Sequence, residues 1–228
     1  MSKPNILNTK VVVSLSGGMD STTLLCYCIN EGFKIYPIIF KYGSKHNEYE
    51  ITAALSICNK FSLTPKIVDL SYMNDLVKSN LLKSGGEIPE GHYEASSMEQ
   101  TVVPGRNIIF IANMVGYAWT IGANFIAIGV HAGDHAIYSD CRPDFIKAMD
   151  VAVYFGSDGR VEILAPFQNL DKAGILDIGY NLDEIRVPYE ITRTCYKDEP
   201  ISCGKCGSCV ERLEAFDQVN KKDPITYE

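Results

Sequence analysis

The run from Lys10 to Leu25, KVVVSLSGGMDSTTLL, leaves few choices of fold. Val11, Val12 and Val13 are consecutive β-branched residues, the composition of a strand covered on both faces, as in a parallel sheet. Gly17 and Gly18 permit a tight turn and bring backbone N–H groups close to a ligand. Asp20, Ser21 and Thr22 suit the first turn or cap of the helix that should follow. A strand, a Gly/Ser turn and a helix N-terminus in direct succession aim free N–H groups and the positive end of a helix dipole at one spot. That is an anion site, with phosphate the expected ligand.

The loop is not a Walker A loop, because the lysine of G-x-x-x-x-G-K-[ST] is missing, and it is not G-x-G-x-x-G. SGGMDS resembles the SGGxDS pyrophosphate loop of the ATP-pyrophosphatase superfamily, whose members adenylate a carboxyl or carbonyl oxygen and release pyrophosphate. An ordinary glycine turn before a helix is the alternative. The resemblance implies an α/β fold of the adenine-nucleotide α-hydrolase-like (Rossmann-like) kind, with a parallel sheet and helices on both faces. It also implies ATP contacts along Leu15, Ser16, Gly17, Gly18, Met19, Asp20, Ser21, Thr22 and Thr23.

The rest of the chain alternates in keeping with that fold. Residues 1–9 read as a lead-in. A helix is expected over about 20–31, ended by Gly32. Lys34 to Phe40 reads as a second buried strand, with Pro37 odd for a central position. Ile51, Ala54, Leu55 and Cys58 recur at helical spacing within about 45–60, and Lys66 to Leu70 reads as a third strand. Residues 71–103 carry four Gly or Pro residues (Gly85, Gly86, Pro89, Gly91) and little periodicity, so a functional loop such as a lid, or disorder, is expected. Pro104 should open the next helix. The apolar run Ile108 to Val130 is long enough for a membrane span, but its Asn and Gly interruptions and the GAN turn at 122–124 favour a buried helix and then a buried strand, Phe125 to Gly129. A polar loop over 130–142, a helix from Pro143 to about 155, a strand over Val161 to Ala165 and a short helix capped by Asp171 complete the reading.

With 228 residues and 46% hydrophobic content, the chain suits one domain of fair size or one domain with an appendage. The net charge of −7 argues against a general nucleic-acid binder. No secretory signal is evident near the start, so a cytoplasmic location is expected. Eight cysteines in such a chain suggest metal or free thiols more than disulfides. Cys195, Cys203, Cys206 and Cys209 follow C-x₇-C-x₂-C-x₂-C, which can aim four thiolates at one tetrahedral ion. Four sulfur ligands leave no open position, which favours structural Zn²⁺. A disulfide pair, a redox C-x-x-C and an iron–sulfur cluster are the alternatives. Cys26, Cys28 and Cys58 read as small core residues.

Arg106, in VPGRN at a helix start, offers a planar fork for phosphate or carboxylate. The loop GVHAGDHAIYSDCR holds His131, Asp134, His135, Asp140 and Arg142. It follows a parallel strand, where ligands of such sheets collect, so substrate binding is favoured over a second metal. Lys172 in LDKAG offers a point charge to phosphate or is a solvated surface lysine. His46 and His92 give no decisive signal.

Together LSGGMDSTTLL, KYGSKH at 41–46, VPGRN at 103–107, GVHAGDHAIYSDCRPDFIKAM at 129–149, LDKAGI at 170–175 and TCYKDEPISCGKCGSCVERLEAF at 194–216 resemble the QueC (ExsB-like) family of 7-cyano-7-deazaguanine synthases, over Val11 to Phe216. The resemblance implies a queuosine-pathway enzyme that adenylates 7-carboxy-7-deazaguanine, lets ammonia displace AMP, activates the resulting amide with a second ATP and eliminates to the nitrile. It implies catalytic roles for Ser16, Asp20, Arg106 and Lys172, with Mg²⁺ held by Asp20. Adenine would be flanked by Phe40 and Gly129, and substrate bound by Arg106, Asn107, Asp140 and Arg142. A homodimer is implied, with residues 1–190 as the ATP-binding catalytic domain and 191–228 as a zinc-binding segment packed on it. Ser44-Lys45 and His131-Ala132-Gly133 depart from the commoner family pattern. A different acceptor for the adenylated group (amide synthesis, tRNA modification or deazaguanine transfer) is the second reading, and a non-enzymatic nucleotide-binding regulator the third.

Overall fold

The three valines are fully buried because strand β1 (Lys10–Ser14) lies at the centre of a sheet covered on both sides. The computed structural model describes residues 9–91 and 96–228, so most of the expected lead-in and His92 lie outside the described residues. Val12 points into one apolar cluster. Val11 and Val13 point into another, as the two-residue period of a strand requires.

The helix α1 (Met19–Asn30) follows the glycine turn, and strands β2 (Lys34–Lys41) and β3 (Lys66–Asp69) flank the helix α2 (Asn47–Lys60). A single helical turn, α3 (Met73–Leu76), precedes the long helix α4 (Arg106–Ile121). Strands β4 (Phe125–Ala127) and β5 (Glu162–Leu164) enclose the helix α5 (Pro143–Gly156), and helices α6 (Lys172–Tyr180) and α7 (Gly207–Gln218) end the chain. The sheet order is β3-β2-β1-β4-β5, with every neighbouring pair parallel. Ile111, Met114 and Ala118 of α4 and Ile146 and Val153 of α5 cover the Val12 face, while Leu24, Leu25, Ala54 and Ile57 of α1 and α2 cover the other. From β1 the chain winds outward to β3, then returns to the opposite flank at β4. The connections after β1 and β4 therefore diverge and leave a crevice at their carboxyl ends.

Pro37 is tolerated in β2 for a geometric reason. The Ile38 carbonyl accepts from the N–H of Leu15, just past β1, so its neighbours in the strand face β3, and β3 begins to pair only at Ile38↔Lys66. The missing N–H breaks no ladder bond. The helix expected from Pro104 starts later: Gly105, in the left-handed region at φ +69°, is the N-cap, and α4 begins at Arg106. The apolar run does divide into a helix and a strand, but α4 is only partly buried, with Ile108 and Trp119 exposed. Among the described residues no helix is long and apolar enough to cross a membrane. The 71–103 stretch is tied down where described, through bridges Ser44↔Leu82 and Glu90↔Cys206. Asp171 caps α6 as expected, accepting from Gly174 N–H at 2.7 Å, and Cys26, Cys28 and Cys58 are buried core residues.

Helix α7 shares a small apolar cluster with α1 and α6, formed by Met19, Cys26, Leu176, Ala215 and Phe216. Beside it the fully buried Arg212 donates to both Asp223 oxygens, at 2.7 and 2.9 Å, and to Thr192 Oγ1, Thr194 Oγ1 and the Tyr189 carbonyl. Tyr227 Oη donates to the same carboxylate at 2.6 Å. Arg212→Met leaves Asp223 as a buried charge without its cation, so urea unfolding should show a loss of about 3–5 kcal/mol, partly restored in Arg212→Met/Asp223→Asn.

Candidate active site

The turn after β1 is held by its own hydroxyls. Ser16 N–H donates to Ser21 Oγ at 3.2 Å, Gly18 N–H donates to Ser16 Oγ at 3.3 Å, and the Ser21 and Thr22 hydroxyls both donate to the Gly18 carbonyl. The N-cap of α1 is Gly18, without a side-chain cap, and Asp20 sits in the first turn. The early N–H groups of α1 have no partner within the helix and mark its positive end. Gly17 has φ +83°, and a Cβ there would lie 2.6 Å from Ala54 N and 2.7 Å from Glu50 O. Only glycine lets the turn press this closely on α2. Arg193 N–H clips the turn from the other side, donating to the Gly17 carbonyl at 2.8 Å.

The crevice beyond β1 and β4 holds a cavity of about 210 Å³. Ser16, Gly18, Asp20 and Ser21 form its floor with Gly129, while Arg106, Asn107, His131, Asp134 and Lys172 add side chains from other elements. Lys172 is 6% exposed, and its Nζ lies 3.2 Å from Asp20 Oδ2 and 2.8 Å from Glu211 Oε2. Burial alone would lower the lysine pKa. The Asp20 and Glu211 carboxylates outweigh burial and hold it above its usual value, so the ammonium stays charged. His131 Nε2 lies 3.6 Å from Asp134 Oδ2 and 3.9 Å from Asp20 Oδ2. Cys141 also lines the cavity. Burial, with the Asp134 charge behind it, pushes its thiol well above the usual range, so it stays protonated and is no ready nucleophile.

Of the residues expected at the site from sequence, the cavity gathers Ser16, Gly18, Asp20, Ser21, Arg106, Asn107, Gly129 and Lys172. Leu15 and Phe40 line a smaller recess next to it, where Phe40 stacks on Phe110 with centroids 4.1 Å apart. Met19, Thr22 and Thr23 are buried behind the turn. Asp140 and Arg142 are outside the lining. Asp140 Oδ2 accepts from Asn107 N–H at 3.0 Å and its carbonyl accepts from Asn107 Nδ2, so it caps the start of α4. Arg142 is exposed and donates from Nε to the His135 carbonyl. Tyr42, His46, Glu50, Arg193 and Tyr196 line the cavity without having been singled out. His46 and Glu50, with Nε2 and Oε1 3.5 Å apart, are spaced i,i+4 at the start of α2. That spacing is visible in the sequence and was the available signal.

Cys195, Cys203, Cys206 and Cys209 are buried, with their sulfurs within 4.8 Å of one another. Cys195 and Cys203 Sγ are 3.6 Å apart, and none of the eight cysteines is in a disulfide. Tetrahedral coordination with metal–sulfur bonds of about 2.3 Å requires sulfurs about 3.8 Å apart, so the set fits one metal ion. Backbone N–H groups of Lys197 and Cys203 donate to Cys195 Sγ, and those of Lys205 and Cys206 donate to Cys203 Sγ. Such bonds stabilise thiolate ligands.

The family model described as "Queuosine biosynthesis protein QueC" matches residues 10–220. The chain belongs to the QueC family. Proteins named 7-cyano-7-deazaguanine synthase are similar over nearly the whole length. That of Pseudoalteromonas atlantica is 44% identical over 219 residues, covering 96% of this chain and 99% of that protein. That of Methanoregula boonei is 46% identical over the same length, again covering 96% and 99%. Among solved structures, the NMN synthetase from Francisella tularensis superposes with a TM-score of 0.52 at 16% identity, covering 95% of this chain and 79% of that one. At that identity the likeness speaks for the fold alone, a parallel α/β sheet with flanking helices.

The tightest geometric demand of the site is at Gly17. Gly17→Ala should cost about 1–3 kcal/mol from the left-handed backbone alone, before the contact with α2 is counted, and a lowered denaturation midpoint with an unchanged m-value is the expected reading.

Proposed function

We propose that this chain is a 7-cyano-7-deazaguanine synthase that uses ATP and ammonia to convert the carboxylate of 7-carboxy-7-deazaguanine into a nitrile. Family membership supports the product, and the observation that carries the chemistry is the Ser16–Ser21 turn facing Lys172 and Arg106 in one cavity. A carboxylate oxygen is a poor leaving group, and its attack on the α-phosphorus of ATP turns it into a good one. The N–H groups of the turn and the Ser16 and Ser21 hydroxyls bind the departing pyrophosphate. Lys172 and Arg106 balance the charge that builds up on it. Ammonia then attacks the adenylated carbon and AMP leaves, giving the amide. A second adenylation on the amide oxygen, followed by loss of AMP and of the nitrogen protons, gives the nitrile. No covalent enzyme intermediate is required, so these residues act by positioning and electrostatics.

Asp20 Oδ1 is buried without a hydrogen-bond partner among the described residues, an arrangement that costs free energy until a cation or donor meets it. That orphaned oxygen fits Mg²⁺, which would be held by Asp20 and the ATP phosphates and would supply charge neutralisation there. The four thiolates fit structural Zn²⁺. The catalytic domain is assigned to residues 1–190 and the zinc-binding segment to 191–228. Asn107 is kept as a substrate contact. Asp140 acts on substrate through Asn107, and Arg142 reaches it only if its loop moves. A cytoplasmic homodimer accompanies this reading. Support for the dimer comes from Ile108 and Trp119 of α4 and Val151, Tyr154 and Phe155 of α5, large apolar residues left exposed on neighbouring helices. Phe155, 78% exposed, is the most open of them, so Phe155→Glu should halve the sedimentation mass if this face joins two copies.

The deciding assay combines purified protein, ATP, Mg²⁺, ammonium and 7-carboxy-7-deazaguanine, read by mass spectrometry. The expected outcome is the nitrile mass with AMP formed alongside. Accumulation of the amide alone would make the chain an amide synthetase. Asp20→Ala should abolish turnover while zinc content, by elemental analysis, is unchanged, and retained turnover would refute the role given to the turn.

A further inference from the structure

Glu211 belongs by sequence to the cysteine-rich segment, two residues after Cys209 on the helix that follows Cys206. Its carboxylate nevertheless ends against Lys172, 2.8 Å from Nζ, with the two side chains only 6% and 13% exposed. The same ammonium lies 3.2 Å from Asp20. Glu211 is also pressed against the loop after β4: a Cβ on Gly133 would lie 2.6 Å from Glu211 Oε1. A glycine there makes room for this carboxylate. Glu211 lies outside both SGGMDS and the C-x₇-C-x₂-C-x₂-C spacing, although the 194–216 stretch spans it.

We infer that Glu211 is a positioning residue that shares the Lys172 ammonium with Asp20, and so sets how readily Asp20 takes a divalent cation together with ATP. The inference rests on the nucleotide reading of the cavity. For Asp20 to ligate a cation through Oδ1, the carboxylate must share with that cation the charge that its Oδ2 now gives to Lys172. In a buried site that sharing is expensive unless another carboxylate takes over the ammonium. Glu211 is placed to take it over. Without its charge, Lys172 falls back on Asp20 and competes with the cation for the same carboxylate. The helix that follows Cys206 and carries Cys209 thereby forms part of the nucleotide site rather than a separate appendage.

The test is a titration of Mg²⁺ into full-length protein with ATP, followed calorimetrically, for the wild type, Glu211→Gln, Lys172→Gln and the double variant. Glu211→Gln should raise the Mg²⁺ concentration at half-saturation by about fivefold or more, within the ordinary range of site-to-site coupling. In the Lys172→Gln background the same change should add no further shift, because the competing ammonium is gone. Zinc content of Glu211→Gln should match the wild type. An unchanged Mg²⁺ midpoint, an equal shift in both backgrounds, or loss of zinc from Glu211→Gln would each overturn the inference. Should Glu211→Gln fail to fold, Glu211→Asp is titrated instead, with a smaller shift in the same direction expected and an unchanged midpoint again overturning it. Absence of Mg²⁺-dependent ATP binding by the wild type would bring down the nucleotide reading itself, an outcome distinct from the other failures.

Discussion

The ammonium of Lys172 stands between the carboxylates of Asp20 and Glu211, and three distant parts of the chain meet there. Lys172 opens α6, Asp20 lies in the first turn of α1, and Glu211 comes from α7. A lysine this buried is stable as an ion only with carboxylates beside it. The cluster therefore constrains the fold and the chemistry together. It requires α6 and α7 to pack where Met19, Leu176 and Phe216 bury their apolar surface, and it leaves a fixed positive charge at the edge of the Ser16–Ser21 turn.

The same coupling recurs in the backbone. Arg193 N–H holds the Gly17 carbonyl, while its guanidinium donates to the carbonyls of Lys197, Glu199 and Pro200 in the loop between Cys195 and Cys203. Glu90 bridges to Cys206, and Ser202 pairs with Tyr227 near the C-terminus. The thiolate cluster lies at the junction of these contacts. A metal there would fix the loop that fixes Arg193, and Arg193 in turn fixes the phosphate turn.

Much of the fold was legible in the sequence because it depends on local rules. Three consecutive valines mark a strand covered on both faces, and SGGMDS marks a turn into a helix. Asp171 marks a cap, and the four cysteines mark their own convergence. Strand ends were less legible: β4 stops at Ala127, two residues short of the expected Gly129, because its partner β5 runs only to Leu164. The site was legible where a motif carries the side chain to the crevice. It was illegible where tertiary packing decides. Within CVERLEAF nothing local separates Glu211 and Arg212 from the ordinary charged residues of a surface helix, yet Arg212 is fully buried against Asp223 and Glu211 against Lys172. Asp140 and Arg142 look equally available in YSDCR, but one is spent on the first turn of α4 and the other lies outside the cavity.

The charge balance of the chain and that of its cavity differ in sign of emphasis. The protein carries a net charge of −7, which disfavours long-range attraction of an anion such as ATP. Lys172, Arg106 and Arg193 nevertheless collect around the phosphate turn, together with N–H groups at a helix start. Screening limits the reach of surface carboxylates to about 8–10 Å at ordinary ionic strength, whereas the cavity cations act at contact distance in a partly dry site. On the function proposed above, selectivity for a polyphosphate comes from a few fixed charges near the floor of the crevice. Because Asp20, Asp134 and Glu211 sit among those cations, the site as it stands is close to neutral. On the function proposed above, a polyphosphate is best accommodated together with a cation of its own, with Asp20, whose buried Oδ1 has no hydrogen-bond partner among the described residues, as the ligand on the protein side.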